Sequence, residues 1–216
     1  MNTMQRIVAC AALLAAATVA AADPAFDDEL LAIQQEWATA NYQVNADARE
    51  PAFANVEART EAFAKAHPER AEAWVWAGIV QSSHGGAKGR LGALGLTKKA
   101  RASLEAALKL DSRALDGSAY TSLGTLYNKV PRFPIGFGDH DKARELLQQA
   151  LVFNPNGIDP NYFYGEYLHE QGQYREALQY LDRAAHAPRR PGRELADQGR
   201  RNEIAALAAR VKEKLG

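Results

Sequence analysis

Cysteine is nearly absent from this chain of 216 residues: Cys10 is the sole example, four residues after Arg6 and ahead of most of the N-terminal apolar run. That position is wrong for a lipid-bearing cysteine at the end of a signal. If the chain is cut after Ala22 no thiol remains, so disulfides and thiolate chemistry are excluded. Net charge is equally lacking, with 26 basic residues against 26 acidic ones; losing residues 1–22, whose one charged side chain is Arg6, leaves 25 against 26, or −1. A balanced chain gives no electrostatic footprint for nucleic acid. Beyond Ile7 to Ala22 no apolar run is long enough to cross a bilayer, and strand-like alternation has no length anywhere.

Motifs that concentrate chemistry are missing too. There is no Gly-x-Ser-x-Gly elbow, no His-Glu-x-x-His pair, no calcium-loop pattern and no phosphate-loop series. His67, His84, His140, His169 and His186 are never four residues apart, the interval that would put two imidazoles on one helical face. Asp139, His140 and Asp141 place a carboxylate beside an imidazole, but Asp139 or Asp141 reads better as the cap of a helix beginning near Lys142. Gly85-Gly86-Ala87-Lys88-Gly89-Arg90 lacks the preceding strand and following hydroxyl of a phosphate cradle, so it reads as a flexible connection. Arg189, Arg190, Arg193, Arg200 and Arg201 form the one dense basic cluster, read as a solvated linker paired with Glu194, Asp197 and Glu203. No catalytic residue, metal site or cofactor is expected.

What is present begins with an address. Arg6, the alanine-rich run behind it and Ala20-Ala21-Ala22 before Asp23 predict a cleaved signal peptide over residues 1–22. The mature protein is then expected in the periplasm or secreted, without stable membrane insertion.

The rest is organised by repetition. A glycine follows a large or polar residue by one helical turn, and alanine, leucine and alanine then recur at spacings of four and three: Trp74, Gly78, Ala100, Leu104, Ala107; Tyr120, Gly124, Ala143, Leu147, Ala150; Asn161, Gly165, Ala177, Leu181, Ala184. The small residues let paired helices approach closely, a packing gain that must offset about 1 kcal/mol of helix propensity at each glycine. The pattern predicts helix pairs at about 71–83 with 97–110, 117–129 with 140–153, and 159–171 with 173–186. Residues 23–68 read as a degenerate opening pair, with Pro51 in the first turn of its second helix; residues 69–190 hold the three repeats, with inserted loops at 84–96 and 130–139; residues 191–216 supply a capping helix. Both insertions follow first helices, so they should emerge on one side of the stack, where repeat insertions often serve binding.

Ala143 and Ala177 are 34 residues apart and Pro155 closes one unit before Gly165 opens the next, a pattern that resembles the tetratricopeptide repeat (TPR). The exported context and the phrase Val130 to Asp139 are similar to the T-component family of tripartite periplasmic (TRAP) transporter systems. The first resemblance implies an all-α, right-handed superhelical stack of helix pairs whose concave groove displays Glu72, Val75, Thr121, Thr125, Asn128, Lys129, Tyr162, Glu166 and His169, with Arg132, Phe133 and Phe137 added by the second loop. It implies a non-catalytic scaffold binding a protein or peptide. The second implies an accessory protein working beside a periplasmic solute-binding protein and handling a small apolar or organic-acid ligand, in a cavity lined by Tyr162, Phe133 and Phe137.

Overall fold

A computed structural model describes residues 23–216, the side chains of Arg90 and Leu91 excepted; the expected signal sequence lies outside the described residues. Nine α-helices make up the described chain: α1 Pro24–Tyr42, α2 Ala46–Ala66, α3 Ala71–Lys88, α4 Arg90–Leu110, α5 Ala114–Lys129, α6 His140–Phe153, α7 Ile158–Glu170, α8 Tyr174–Ala185 and α9 Glu194–Glu213. No β-strand is formed among the described residues, only one isolated bridge between Arg132 and Gly138. Each helix packs on the next, giving an all-α, TPR-like stack.

The small residues work where the repeat frames place them. A methyl added to Gly78 would meet Leu104 Cγ at 2.6 Å and the Ala100 carbonyl oxygen at 3.1 Å. At Gly124 the same atom would lie 2.8 Å from Leu147 Cγ and 3.2 Å from the Ala143 oxygen, and at Gly165 3.1 Å from Leu181 Cγ and 3.3 Å from the Ala177 oxygen. Ala100, Ala143 and Ala177 are wholly buried, as are Leu104, Leu147 and Ala150. The three α-hairpins are therefore nested through one recurring contact.

Two expectations need correction. Residues 84–96 are not an extended loop: His84 to Lys88 prolong α3 and residues 90–96 begin α4, with only Gly89, at φ 77°, breaking the helix. Gly85 faces Leu96 Cβ and Thr97 Cγ2 at 3.5 Å, so part of the glycine content serves close helix packing, and the amides of Gly85 and Gly86 are committed to α3 rather than free to cradle an anion. Pro51 is not in a first turn either, because α2 starts at Ala46 and Pro51 lies inside it. Residues 130–139 do form a loop. Its base is tied by Gly138 N donating to Pro131 O and Asp139 N donating to Tyr127 O, both at 2.9 Å. Asp139 then caps α6, accepting from the Asp141 and Lys142 amides at 3.0 Å.

The last helix does more than cover the end of the row. α9 packs on α8 and α7 and also on α1, so the odd-numbered helices line the inside of a bend tight enough to bring the two ends of the stack together. Gly199 lies against the ring of Tyr42. Tyr42 Oη donates to Glu203 Oε2 at 3.4 Å, and Gln35 Nε2 donates to the Gly192 carbonyl at 3.3 Å.

Candidate functional site

The inside of the bend carries a partly open hollow of about 420 Å³, within the range of small-molecule pockets. Its wall comes from all five inner helices: Trp37 of α1, Trp76 and Ser82 of α3, Thr121 and Ser122 of α5, Phe163 of α7 and Arg200 of α9, with Arg190 and Arg193 from the turn before α9. The start of α5 contributes through an irregular backbone. Leu115 and Asp116 take left-handed conformations at φ 49° and 54°, ahead of Gly117 at 75°, which places Leu115 and Asp116 on the wall. Two such non-glycine residues cost roughly 1–2 kcal/mol each, a strain of the kind that gathers at binding sites. Gly117 tucks against the Phe153 side chain, where a Cβ would come within 2.9 Å.

One side of the hollow is a cluster of guanidinium and carboxylate groups. Asp159 accepts from Arg190 Nη1 at 2.6 Å and from Arg200 Nε at 2.8 Å. Arg190 also bonds Asp197 through Nε at 2.7 Å, and Arg200 donates to Glu203. Burial alone would raise the Asp159 pKa, but Arg200 and Arg190 override it and hold the carboxyl at about 2. Burial pulls Arg200 down as well, and Asp159 and the other anions beside it more than restore it, leaving its pKa raised. Arg200 spans Tyr162 and Phe163, its guanidinium carbon 4.5 Å from each ring centre. The expected pairing with Asp197 and Glu203 is thus present, but the cluster is not a solvated linker: Asp197 and Arg200 are buried.

Arg193 differs from its neighbours. Its Nη1 donates to Gln34 Oε1 at 3.1 Å and its guanidinium lies over the Trp76 ring at 4.9 Å, yet it has no salt bridge among the described residues. Its Nε is buried without a hydrogen-bond partner. Burial, followed by repulsion from Arg190, pulls its pKa down to about 10, so it is charged at neutral pH. Trp37 Nε1 donates to Ser83 Oγ at 2.9 Å and sets its ring edge against Trp76, fixing the aromatic floor beneath the cation.

The residues expected to face a groove divide into four groups. Thr121 and Thr125 line the hollow. Asn128, Lys129 and Glu166 meet Glu170 in a polar cluster between α5 and α7: Asn128 Nδ2 donates to Glu170 Oε2 at 2.8 Å, while Lys129 bonds Glu170 and lies 3.0 Å from Glu166. His169, on the same helix, has a buried Nδ1 without a partner and its ring leans on Tyr174. Val75 and Tyr162 are buried, so neither presents a surface to a protein partner, and Glu72 pairs with Arg70 at 3.3 Å. On the second loop, Phe133 is 88% exposed beside exposed Arg132 and Ile135, whereas Phe137 packs edge-on against Tyr127 beneath Arg101.

A cavity lined by Tyr162, Phe133 and Phe137 is therefore not what the chain forms; the hollow lies elsewhere, against Phe163, Trp37 and Trp76. Sequence reasoning missed the convergence of α1 with α9. The signal available was weak: Tyr42 and Gly199 are more than 150 positions apart, and no periodicity couples them. No helix among the described residues is long and apolar enough to cross a membrane.

Comparison with known proteins agrees with this geometry over the C-terminal part of the chain. No curated protein matches it. Residues 135–211, from the second loop through most of α9, match the tetratricopeptide repeat family.

Proposed function

We propose that this chain is an exported, non-catalytic binding protein that engages a protein partner through the Val130–Asp139 loop. The observation that carries the reading is the loop tip. Phe133 and Ile135, at 88% and 69% exposure, stand out from a stack whose other large apolar side chains are mostly covered, and the tip's base is held by backbone hydrogen bonds. A preformed apolar tip loses little freedom on docking, so its buried area converts efficiently into affinity. The tetratricopeptide match adds support, since such repeats commonly mediate protein association. The export part rests on Arg6, the apolar run and Ala20-Ala21-Ala22.

A photoreactive side chain at Phe133, compared with one at outward-facing Val152, tests this in the native host. Adducts with one identified protein at residue 133 alone, reproduced with that protein purified and lost in Phe133→Ser plus Ile135→Ser, are expected. Equal labelling from both positions removes the loop from the account. The second reading, an accessory protein of a periplasmic transport system with a small organic-acid ligand, is favoured by the hollow and its arginines. Whether the labelled partner is a solute-binding protein distinguishes the two.

A further inference from the structure

We infer that the hollow inside the bend is a binding site for a small monocarboxylate with an apolar, preferably aromatic, body, anchored by Arg193. This rests on the second reading above, the small organic-acid ligand, and does not depend on the protein-binding one.

The charge comes first. Arg190 and Arg200 are each held between two carboxylates, and the three acids that hold them, Asp159, Asp197 and Glu203, leave that set at −1. Arg193 brings the cluster to neutrality without a carboxylate partner of its own. Its Nη1 has only the neutral amide oxygen of Gln34, and its Nε is buried unbonded. Arg193 is half-buried, but leaving its inaccessible Nε without an acceptor is costly, and part of that cost is recovered when an anion arrives. Asp116 also lines the hollow and adds a negative charge, so a second charge on the ligand would be repelled by Asp159 and Asp116. The site thus suits a carboxylate better than a doubly charged phosphate.

The surroundings specify the rest of the ligand. The hydroxyl-bearing residues Ser82, Thr121 and Ser122 also line the hollow and make no side-chain hydrogen bond within the described residues, so they are available to a second carboxylate oxygen or to a ligand hydroxyl. Trp37, Trp76 and Phe163 supply flat apolar surface on the same wall. A hollow of about 420 Å³ takes a ligand of small organic size and not a folded peptide segment. The contact of α1 with α9 bounds the hollow on that side.

The test uses residues 23–216, titrated with phenylacetate, 3-phenylpropionate and octanoate, with phenylacetamide as the neutral control and inorganic phosphate as the dianion control. Binding is read from Trp fluorescence, in a Trp74→Phe background so that Trp37 and Trp76 report, and from calorimetry. At least one carboxylate is expected to bind with a Kd below about 1 mM, and the amide and phosphate at least about tenfold more weakly, the size of one lost charge-assisted hydrogen bond. Arg193→Gln should weaken carboxylate binding by a similar factor while the amide is unaffected. Arg193→Lys, which keeps the charge and loses the fork, should restore part of it. If Arg193→Gln unfolds the protein, Ser122→Ala and Thr121→Val read the hydroxyl side of the same site. Failure of every carboxylate to bind, or equal binding by wild type and the Gln variant, overturns the assignment. A pentapeptide that binds more tightly with a free C-terminal carboxylate than any small acid, and loses binding on amidation, would move the carboxylate to a chain terminus and overturn the small-molecule part. Neither result bears on the cross-linking at Phe133.

Discussion

Gly78 and Leu104 are in such close contact that a Cβ on the glycine would lie 2.6 Å from the leucine Cγ, while the equivalent atom at Gly165 would lie 3.1 Å from Leu181 Cγ. The first distance has no room for a methyl and the second is merely tight. Gly78→Ala should therefore destabilise by about 1–3 kcal/mol despite its gain in helix propensity. Gly165→Ala should fall within about 1 kcal/mol of wild type. Urea denaturation of the two variants checks the ranking, and the reverse order would contradict the packing described.

A buried hydrogen bond between α2 and α3 supplies a second comparison. His84 and Glu57 are both nearly inaccessible and bond directly, and Lys99 of α4 also reaches Glu57 at 3.5 Å. Replacing Glu57 by Ala leaves the buried His84 Nδ1 without its partner, whereas exposed Lys99 keeps Glu61 at 3.3 Å, and a loss of about 1–3 kcal/mol is expected. Glu36, paired with Arg59 on the surface, should cost under about 1 kcal/mol when changed to Ala. Thermal unfolding of the two variants separates these cases.

The Asp159 carboxyl gives stability a defined acid dependence. Its folded pKa of about 2 lies below the ordinary 3.8, so the ionised group stabilises the fold fully above about pH 4, and that contribution disappears as pH falls through about 2. The shift corresponds to on the order of 2 kcal/mol. Asp159→Asn should be less stable than wild type at pH 7, and the gap should narrow steadily between pH 4 and pH 2. A gap of constant size across that range would mean that Arg190 and Arg200 do not hold the charge.

The export reading has its own check. N-terminal sequencing of the protein recovered from its host should begin at Asp23; a chain that keeps Ile7 and Val8 in the recovered protein would remove the periplasmic or secreted assignment.

The helix pairs were legible because their signal is local and repeated. Gly124 announces itself by its distance from Tyr120 and from Ala143, and α6 spans the predicted residues 140–153. Residues 84–96 misled because glycine reports either a turn or a close approach, and Gly85 against Leu96 and Thr97 is the second kind. Pro51 misled for a related reason: proline is favoured early in a helix, and α2 simply begins a turn sooner than Pro51 suggests. The groove positions were carried over from a repeat of even curvature. Here the bend is tight enough to bury Tyr162 under Arg200, so positions that face outward in an open array became part of the wall or the core. The arginine cluster was visible as composition, but its role depends on Gln34 and Trp76, which only the folded chain brings to Arg193.

Whether the ends of the stack meet decides most of this account, because the hollow exists only if they do. Gly199 lies against the Tyr42 ring in the folded chain. The most direct measurement is therefore the proton spectrum of residues 23–216: strong cross-peaks between the Tyr42 ring protons and the Gly199 α-protons, with the α-protons shifted upfield by the ring, are predicted. Unshifted Gly199 α-protons without any cross-peak to Tyr42 would show an open array, with no hollow for Arg193 to serve.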